Sequence, residues 1–399
     1  MLSTRDAFEK LQAMVQPLTT ERVALEDAFL RVLAAPLASR IAKPAANLSA
    51  MDGYAVNSAD LKAGATTGLA LLKGESAAGT PYDLIVPEDH ACRIFTGAIL
   101  PNGTDQVIPQ EDVTVNAGQI AVSVDPAPGR HVRPAAADFD AKETLLDAGT
   151  LLTPKSIGLI AAGGYGHVMV HRAPKISVLV TGDEIVKPGD PATAPAQMVD
   201  SASPMIVSML KDAGAEIDGV SYVKDDLEAT KAALQTLGGS DLIITIGGAS
   251  VGDHDHLGDA LKAIGASQEF WKIAMRPGKP LMAGKLGRST IVGLPGNPVS
   301  AFVCCLLFCR PLVDKMMGRP SPFPEGVPVP IAAPLPAEGA RDHYRRARLV
   351  MTEDGPKVDP AQDQDSSLLS VLAACDGLLL RPANAPACNT GDLVSYLPF

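Results

Sequence analysis

Aromatic residues make up only 4% of this 399-residue chain, acidic residues outnumber basic ones by 45 to 34, and none of the six cysteines belongs to a Cys-x-x-Cys pair. Each shortage excludes something. A formal charge of -11 repels a polyanion, so nucleic acid is not an expected partner. The one basic cluster, RDHYRRAR over 341–348, reads as a solvated strand or loop. The cysteines have no histidine at zinc-ligand spacing, and Cys304, Cys305 and Cys309 share one apolar helix, where they read as small core residues in a reducing compartment. No Ser or Cys stands beside a histidine in a nucleophile pattern. Long apolar runs are missing too. Charge is absent for 21 residues from Ser289 to Cys309, but Gly293-Leu-Pro-Gly-Asn-Pro298 breaks the run and leaves a helix short of the ~20 residues a membrane span needs. The N-terminal MLSTRDAFEKLQAMV carries both charge signs on an amphipathic pattern, unlike a secretory signal. The expectation is a soluble cytoplasmic protein with no membrane partner.

What the chain has instead is turn chemistry, with 36 Gly and 33 Pro, and an apolar fraction of 46% that is ample for several cores. Residues 1–20 read as a helix and 25–33 as a second helical stretch. From about 57 to 140 short strands alternate with Gly, Pro and Asn turns, a pattern that predicts a small β-barrel or sandwich. An extended stretch at 145–152 and a short helix at 156–162 match the 21–44 segment in size, and a β domain inserted between such pieces would leave them adjacent.

From Lys175 strands and helices alternate, the signature of a three-layer parallel-sheet domain. Strands are expected at 176–181, 216–223, 242–246, 269–275, 281–286 and 290–294, and helices at 203–213, 226–237, 256–264 and 298–309. The Pro-rich 311–330 reads as a linker and 331–399 as a last small β domain. The fold class is thus multidomain, α/β plus β. Its expected parts are an α/β domain of 1–20 and 174–320 and a linking domain of 21–44 and 141–173. An inserted β-barrel-like domain at 45–140 and a C-terminal β domain at 321–399 complete it.

The most informative stretch is DLIITIGGASVGDHD, 241–255. Leu242 to Ile246 read as a strand buried on both faces, closed by Gly247 and Gly248. Glycines there let main-chain N–H groups approach an anion, and Asp253 and Asp255 would hold a divalent ion beside it. The alternative is a tight turn whose aspartates cap the next helix. His254 and His256 read as turn histidines. What favours a phosphate site is that polar residues gather at successive strand ends, where such sheets bind ligands. They are Thr181-Gly-Asp-Glu184, Asp225-Asp226, Gly247 to Asp255, then Lys272, Arg276 and Lys279, and Gly293 to Pro298. Acidic and basic groups on one edge suit phosphoanhydride chemistry assisted by a metal.

The motifs SAMDGYAV (49–56), FTGAILPNGTDQVIPQED (95–112), VTGDEIVKPG (180–189), GGASVGDHD (247–255), FWKIAMRPGKP (270–280) and GLPGNPVSA (293–301) resemble, in this order, the molybdopterin molybdenumtransferase family, which includes the gephyrin E domain. The resemblance implies a homodimer of elongated four-domain subunits. It also implies Mg²⁺-dependent insertion of molybdate into adenylylated molybdopterin, with release of AMP and molybdenum cofactor. Molybdopterin adenylyltransferase and molybdoenzyme maturation factors are the implied partners. Carried onto matching positions, the functional residues are Asp52, Thr96, Asp138, Glu184, Asp225, Asp255, Lys272, Arg276, Pro295, Pro298, Arg346 and Ser366. Asp52, Thr96 and Asp138 are expected to face the α/β domain of the other subunit. On this reading Gly247, Gly248 and Ser250 cradle the pyrophosphate, Glu184, Asp225 and Asp255 hold the metal, Lys272, Arg276, Arg346 and Ser366 hold molybdate, and Lys279 adds positive charge for an anionic substrate. Two departures stand out: Arg276 replaces a common lysine, and RPAAAD, 133–138, lacks the Gly-Glu usual before its aspartate. The rival readings are molybdopterin adenylylation and a non-catalytic scaffold.

Overall fold

The structure is a computed structural model and describes residues 1–248 and 256–399. Its centre is a six-stranded sheet in the order Glu216–Val223, Lys175–Thr181, Leu242–Ile246, Ser289–Leu294, Met282–Leu286, Ser267–Phe270. Alternation decides its layers. Ile176, Val178, Val180, Ile244 and Val292 face helices Ala202–Asp212 and Pro298–Cys304, whereas Leu179, Ile243 and Ile291 face Leu227–Leu237 and Leu257–Ala263. Leu242 to Ile246 are buried without exception.

The expected all-parallel sheet needs correction. The first four strands are parallel to one another, Met282–Leu286 runs antiparallel to both of its neighbours, and Ser267–Phe270 therefore runs in the same sense as the first four. Only Gly287 and Arg288 separate Met282–Leu286 from Ser289–Leu294, Gly287 has φ +57°, and so short a turn joins antiparallel strands alone. Nor does one strand run through 269–275. Ser267–Phe270 stays in the central sheet, while Met275–Arg276 pairs in parallel with Asp342–His343 of a separate C-terminal sheet. The stretch expected to be a linker, 311–330, begins as helix Arg310–Met316, which continues Pro298–Cys304 through a π turn at Cys305–Cys309. Pro311 sits in the first turn of that segment, where a missing N–H costs least, and Leu312, Val313 and Met316 are buried.

Residues 20–171 hold two smaller assemblies. Thr20–Ala24, His167–His171 and Val32–Leu33 form a three-stranded sheet, and Leu37–Ala38 pairs with Thr144–Leu146, so the two expected linking pieces do meet. The helix expected at 25–33 is only a 3-10 turn, Leu25–Asp27. Leu30 takes φ +60°, which ends helical geometry and sends Val32 and Leu33 into the sheet. Between these pieces a half-barrel of six strands runs in the order Gln106–Pro109, Gly53–Val56, His90–Ile94, Thr67–Ser76, Gln119–Val122, Val113–Asn116.

The linking sheet meets the central one through an ion pair. Arg172 donates twice to Asp241, at 2.6 Å for each bond, and the Lys175 N–H donates to the same carboxylate at 2.9 Å. Burial alone would raise the Asp241 pKa, but the bonds from Arg172 and Lys175 outweigh it and hold the carboxyl below its usual range. A depressed folded-state value means that this stabilisation is complete above the ordinary carboxylate range and vanishes as pH falls through the folded value. D241N is therefore expected to cost about 2 kcal/mol near pH 7 and distinctly less near pH 3, where the loss of this stabilisation has begun. Thermal melts across that range check this, and an equal loss at both ends would refute it.

Candidate functional site

Beyond the carboxyl ends of the parallel strands lies a cleft of about 680 Å³, whose wall includes Thr181, Glu184, Asp225, Gly247, Gly248 and Asn297. Its floor exists because glycines let main chains touch. Gly247 (φ +87°) lies so close to Thr181 that a Cβ would stand 2.6 Å from the Thr181 carbonyl oxygen, while Gly296 lies alongside at a distance where a Cβ would make only ordinary contact with the Gly247 Cα, 3.6 Å. Gly248 also has positive φ, +61°. The expected use of the Gly247 N–H as an anion donor is corrected: it donates to the Leu294 carbonyl at 3.3 Å. What Gly247 supplies is space. Ser250 and Asp255, with Gly252, Asp253 and His254, lie outside the described residues.

Among the described residues three carboxylates border the cleft. Asp200 is committed to structure, accepting from Ala202 N (2.9 Å), Ser203 N (3.0 Å) and Tyr222 Oη (2.9 Å). Glu184 and Asp225 remain. Burial, with Glu184 and Asp183 close by, pushes Asp225 above the usual carboxylate range. A cation would relieve that repulsion. Among the described residues no three acidic, His or Cys side chains gather into a metal cage. Two carboxylates nevertheless fit Mg²⁺, which retains waters and takes substrate oxygens for the rest of its shell. Thr181 Oγ1 and Asn297 Oδ1 are buried in the same wall and have no hydrogen-bond partner among the described residues, which suits a polar ligand. The sequence reading set both among the polar strand ends but gave neither a role in the site. Asn297 lay in plain view between Pro295 and Pro298, which also line the cleft.

A smaller pocket of about 310 Å³ adjoins, sharing Pro280 with the cleft. Arg276, Lys279, Arg341, Ser300, Asp365 and Ser366 line it. Gly278 (φ +104°) allows this loop to settle on the helix below, since a Cβ there would lie 2.5 Å from Cys304 Sγ. Arg341 was passed over as part of a solvated basic cluster.

Other expected residues lie elsewhere. Lys272 lines neither cavity, and its carbonyl accepts from Leu2 N at 3.4 Å. Arg346 is 2% exposed, its guanidinium donating to the carbonyls of Leu368 (3.1 Å) and Asp363 (3.2 Å). Asp52, Thr96 and Asp138 are outside both cavities of this chain. Thr96 donates to Asp52 Oδ1 through its N–H and its hydroxyl, both at 2.8 Å, and these bonds hold the exposed carboxyl below its usual range. Asp138 pairs with Lys43 at 3.4 Å.

Three family descriptions match the chain: "MoeA N-terminal region (domain I and II)" over residues 2–164, "Probable molybdopterin binding domain" over 177–315, and "MoeA C-terminal region (domain IV)" over 328–399. A molybdopterin molybdenumtransferase of Haemophilus influenzae is 34% identical over 100% of this chain and 99% of its own. One from Nostoc is also 34% identical, over 100% of this chain and 94% of its own. A crystal structure of a molybdopterin biosynthesis MoeA protein from a Pyrococcus species superposes with a TM-score of 0.84 at 26% identity, covering 100% of this chain and 99% of that one. Matched from end to end in sequence and in architecture, the chain belongs to the molybdopterin molybdenumtransferase family.

Proposed function

We propose that this protein is a molybdenum insertase that transfers molybdate into adenylylated molybdopterin and releases AMP and molybdenum cofactor. The observation that carries the reading is the adjacency of two unlike cavities. One is acidic and encloses about 680 Å³, the other is cationic and encloses about 310 Å³, and Pro280 belongs to both walls. An adenylylated substrate in the cleft would have its diphosphate near Glu184 and Asp225. Thr181 and Asn297 would take its polar groups. A tetrahedral oxyanion in the small pocket would lie between Arg276 and Lys279 with the Ser366 hydroxyl as a further donor. The chemistry then rests on position: the cavity walls hold metal oxyanion and acceptor in contact and exclude water from the exchange.

Glu184 and Asp225 would hold Mg²⁺, together with Asp255 as the family resemblance implies. When bound, it neutralises charge on the phosphoanhydride and orients the attacking oxygen. Asp225 is then ionised by its counter-ion although burial and like charge oppose ionisation without one. D225N is expected to reduce AMP release about a hundredfold or more while gel filtration shows an unchanged assembly. Chelation of divalent ions should have the same effect on the parent protein, with Mg²⁺ restoring it. An active D225N, or activity indifferent to chelator, removes the metal from this reading.

Asp52, Thr96 and Asp138 enter through a second subunit. Asp52 is exposed, ionised and fixed in one orientation by Thr96, features suited to a group that serves a neighbour. A homodimer sharing its sites predicts complementation. D52A and D225A, each inactive alone, should regain about a quarter of parent activity once their subunits are exchanged, because half the dimers are mixed and each has one intact site. No recovery after demonstrated exchange would place Asp52 outside the site. The six cysteines are all unpaired, compatible with the cytoplasm as its compartment.

A further inference from the structure

We infer that Arg93 is a positioning residue for Asp52: a guanidinium clamped between two aromatic rings that fixes the end of the half-barrel from which Asp52 and Thr96 emerge. The inference rests on the reading of Asp52 as a group presented to the site of a second subunit.

Gly53–Val56 and His90–Ile94 pair antiparallel, with Gly53 opposite Ile94 and Tyr54 opposite Arg93. Asp52 therefore precedes one strand and Thr96 follows the other at the same end of the ladder. An exposed carboxylate at a strand end has no packing of its own, so its place depends on how that end is held. Gly53 lets the neighbouring strand close in, since a Cβ there would stand 1.9 Å from the Ile108 carbonyl oxygen. The Gln110 N–H donates to the Asp52 carbonyl at 3.0 Å. The third hold is Arg93.

Arg93 Nη1 donates to the Gly53 carbonyl at 3.1 Å, and Nη2 donates to Gln110 Oε1 at 2.8 Å. Its guanidinium carbon lies 5.1 Å from the centre of the Tyr54 ring and 4.7 Å from that of Phe95. Arg93 thus touches the residue after Asp52, the residue before Thr96 and the residue whose N–H holds the Asp52 carbonyl. A planar fork with two stacking faces makes all of these contacts at once, which a point charge such as lysine does not. The bonds to the carboxylate itself come from Thr96, and the Arg93 charge adds to them in favouring the ionised form of Asp52. The side chain is half-buried, so this geometry is held by packing as well as by hydrogen bonds.

The test uses the full-length protein and the variants D52N, R93Q, R93K, Q110A and R93Q/D52N. It follows steady-state AMP release, thermal melting, and the Thr96 amide proton shift in protein labelled with ¹⁵N-threonine. R93Q should lower kcat about tenfold with the KM for adenylylated molybdopterin within about twofold, and R93K should recover part of the loss. Q110A, at an exposed position, removes one acceptor of Arg93 without touching the core and should lower kcat about threefold at unchanged Tm. In the D52N background R93Q should change kcat by less than about twofold, because a residue that acts through Asp52 has nothing left to position. The Thr96 amide, shifted downfield by its 2.8 Å bond to a carboxylate, should move upfield in R93Q. An equal loss from R93Q with and without D52N, or an unmoved Thr96 amide, makes Arg93 a stabilising clasp alone and overturns the inference. A fully active D52N removes Asp52 from the reaction, and the reading beneath the inference fails. Where D52N leaves too little turnover to compare, the amide shift decides whether Arg93 holds the carboxylate.

Discussion

Met275 and Arg276 leave the edge of the central sheet and join Asp342 and His343 in a ladder two residues long, and the arrangement of the site depends on that crossing. It brings the C-terminal sheet against the α/β layers at the point where the chain turns through Pro277, Gly278 and Lys279. The N-terminus reinforces the junction. Leu2 bridges Ile273, Thr4 donates to Asp342 at 2.7 Å, and Phe8 packs edge-on to Phe323 with ring centres 5.2 Å apart. Without this junction the acidic cleft would remain on the central sheet, but the residues at 341 and 365–366 would have no reason to close a second cavity beside it.

The electrostatics follow from that geometry. Acidic side chains project from the ends of parallel strands, cationic ones from the crossing segment and the sheet it joins, and the two sets are kept in adjoining cavities instead of neutralising one another. Groups of both signs that do find partners in the chain are engaged in structure. Asp200 holds a helix start, Asp241 holds Arg172, and Glu338 accepts from His343 Nδ1 at 3.0 Å and Arg345 Nε at 2.9 Å. Residues of the same type thus divide into structural and ligand-facing sets by whether the fold supplies a partner.

Close main-chain approach sets the shape of the cleft. Gly247 presses on Thr181 and Gly296 lies alongside Gly247, so strand ends from three parts of the chain meet where no side chain intervenes. The Gly247 N–H that sequence reasoning reserved for an anion donates instead to the Leu294 carbonyl at 3.3 Å. The space it leaves is bordered instead by Thr181 Oγ1 and Asn297 Oδ1, side-chain groups that local sequence marks as ordinary turn residues.

The sequence by itself determined the layered α/β unit, because an apolar run such as Leu242 to Ile246 closed by Gly247 and Gly248 has few other ways to bury itself, and strand-to-strand periodicity is local information. It also marked Glu184, Asp225, Pro295, Pro298, Arg276 and Lys279, since strand ends are where side chains escape the sheet. Tertiary structure alone decided the departure of Met275 and Arg276 into another sheet and the burial of Arg346 beside the opening of Arg341. These outcomes depend on partners distant in the chain: a strand edge pairs with whatever backbone reaches it, and a guanidinium binds a carbonyl or faces a cavity according to which lies within reach. Neither is written in the residues on either side.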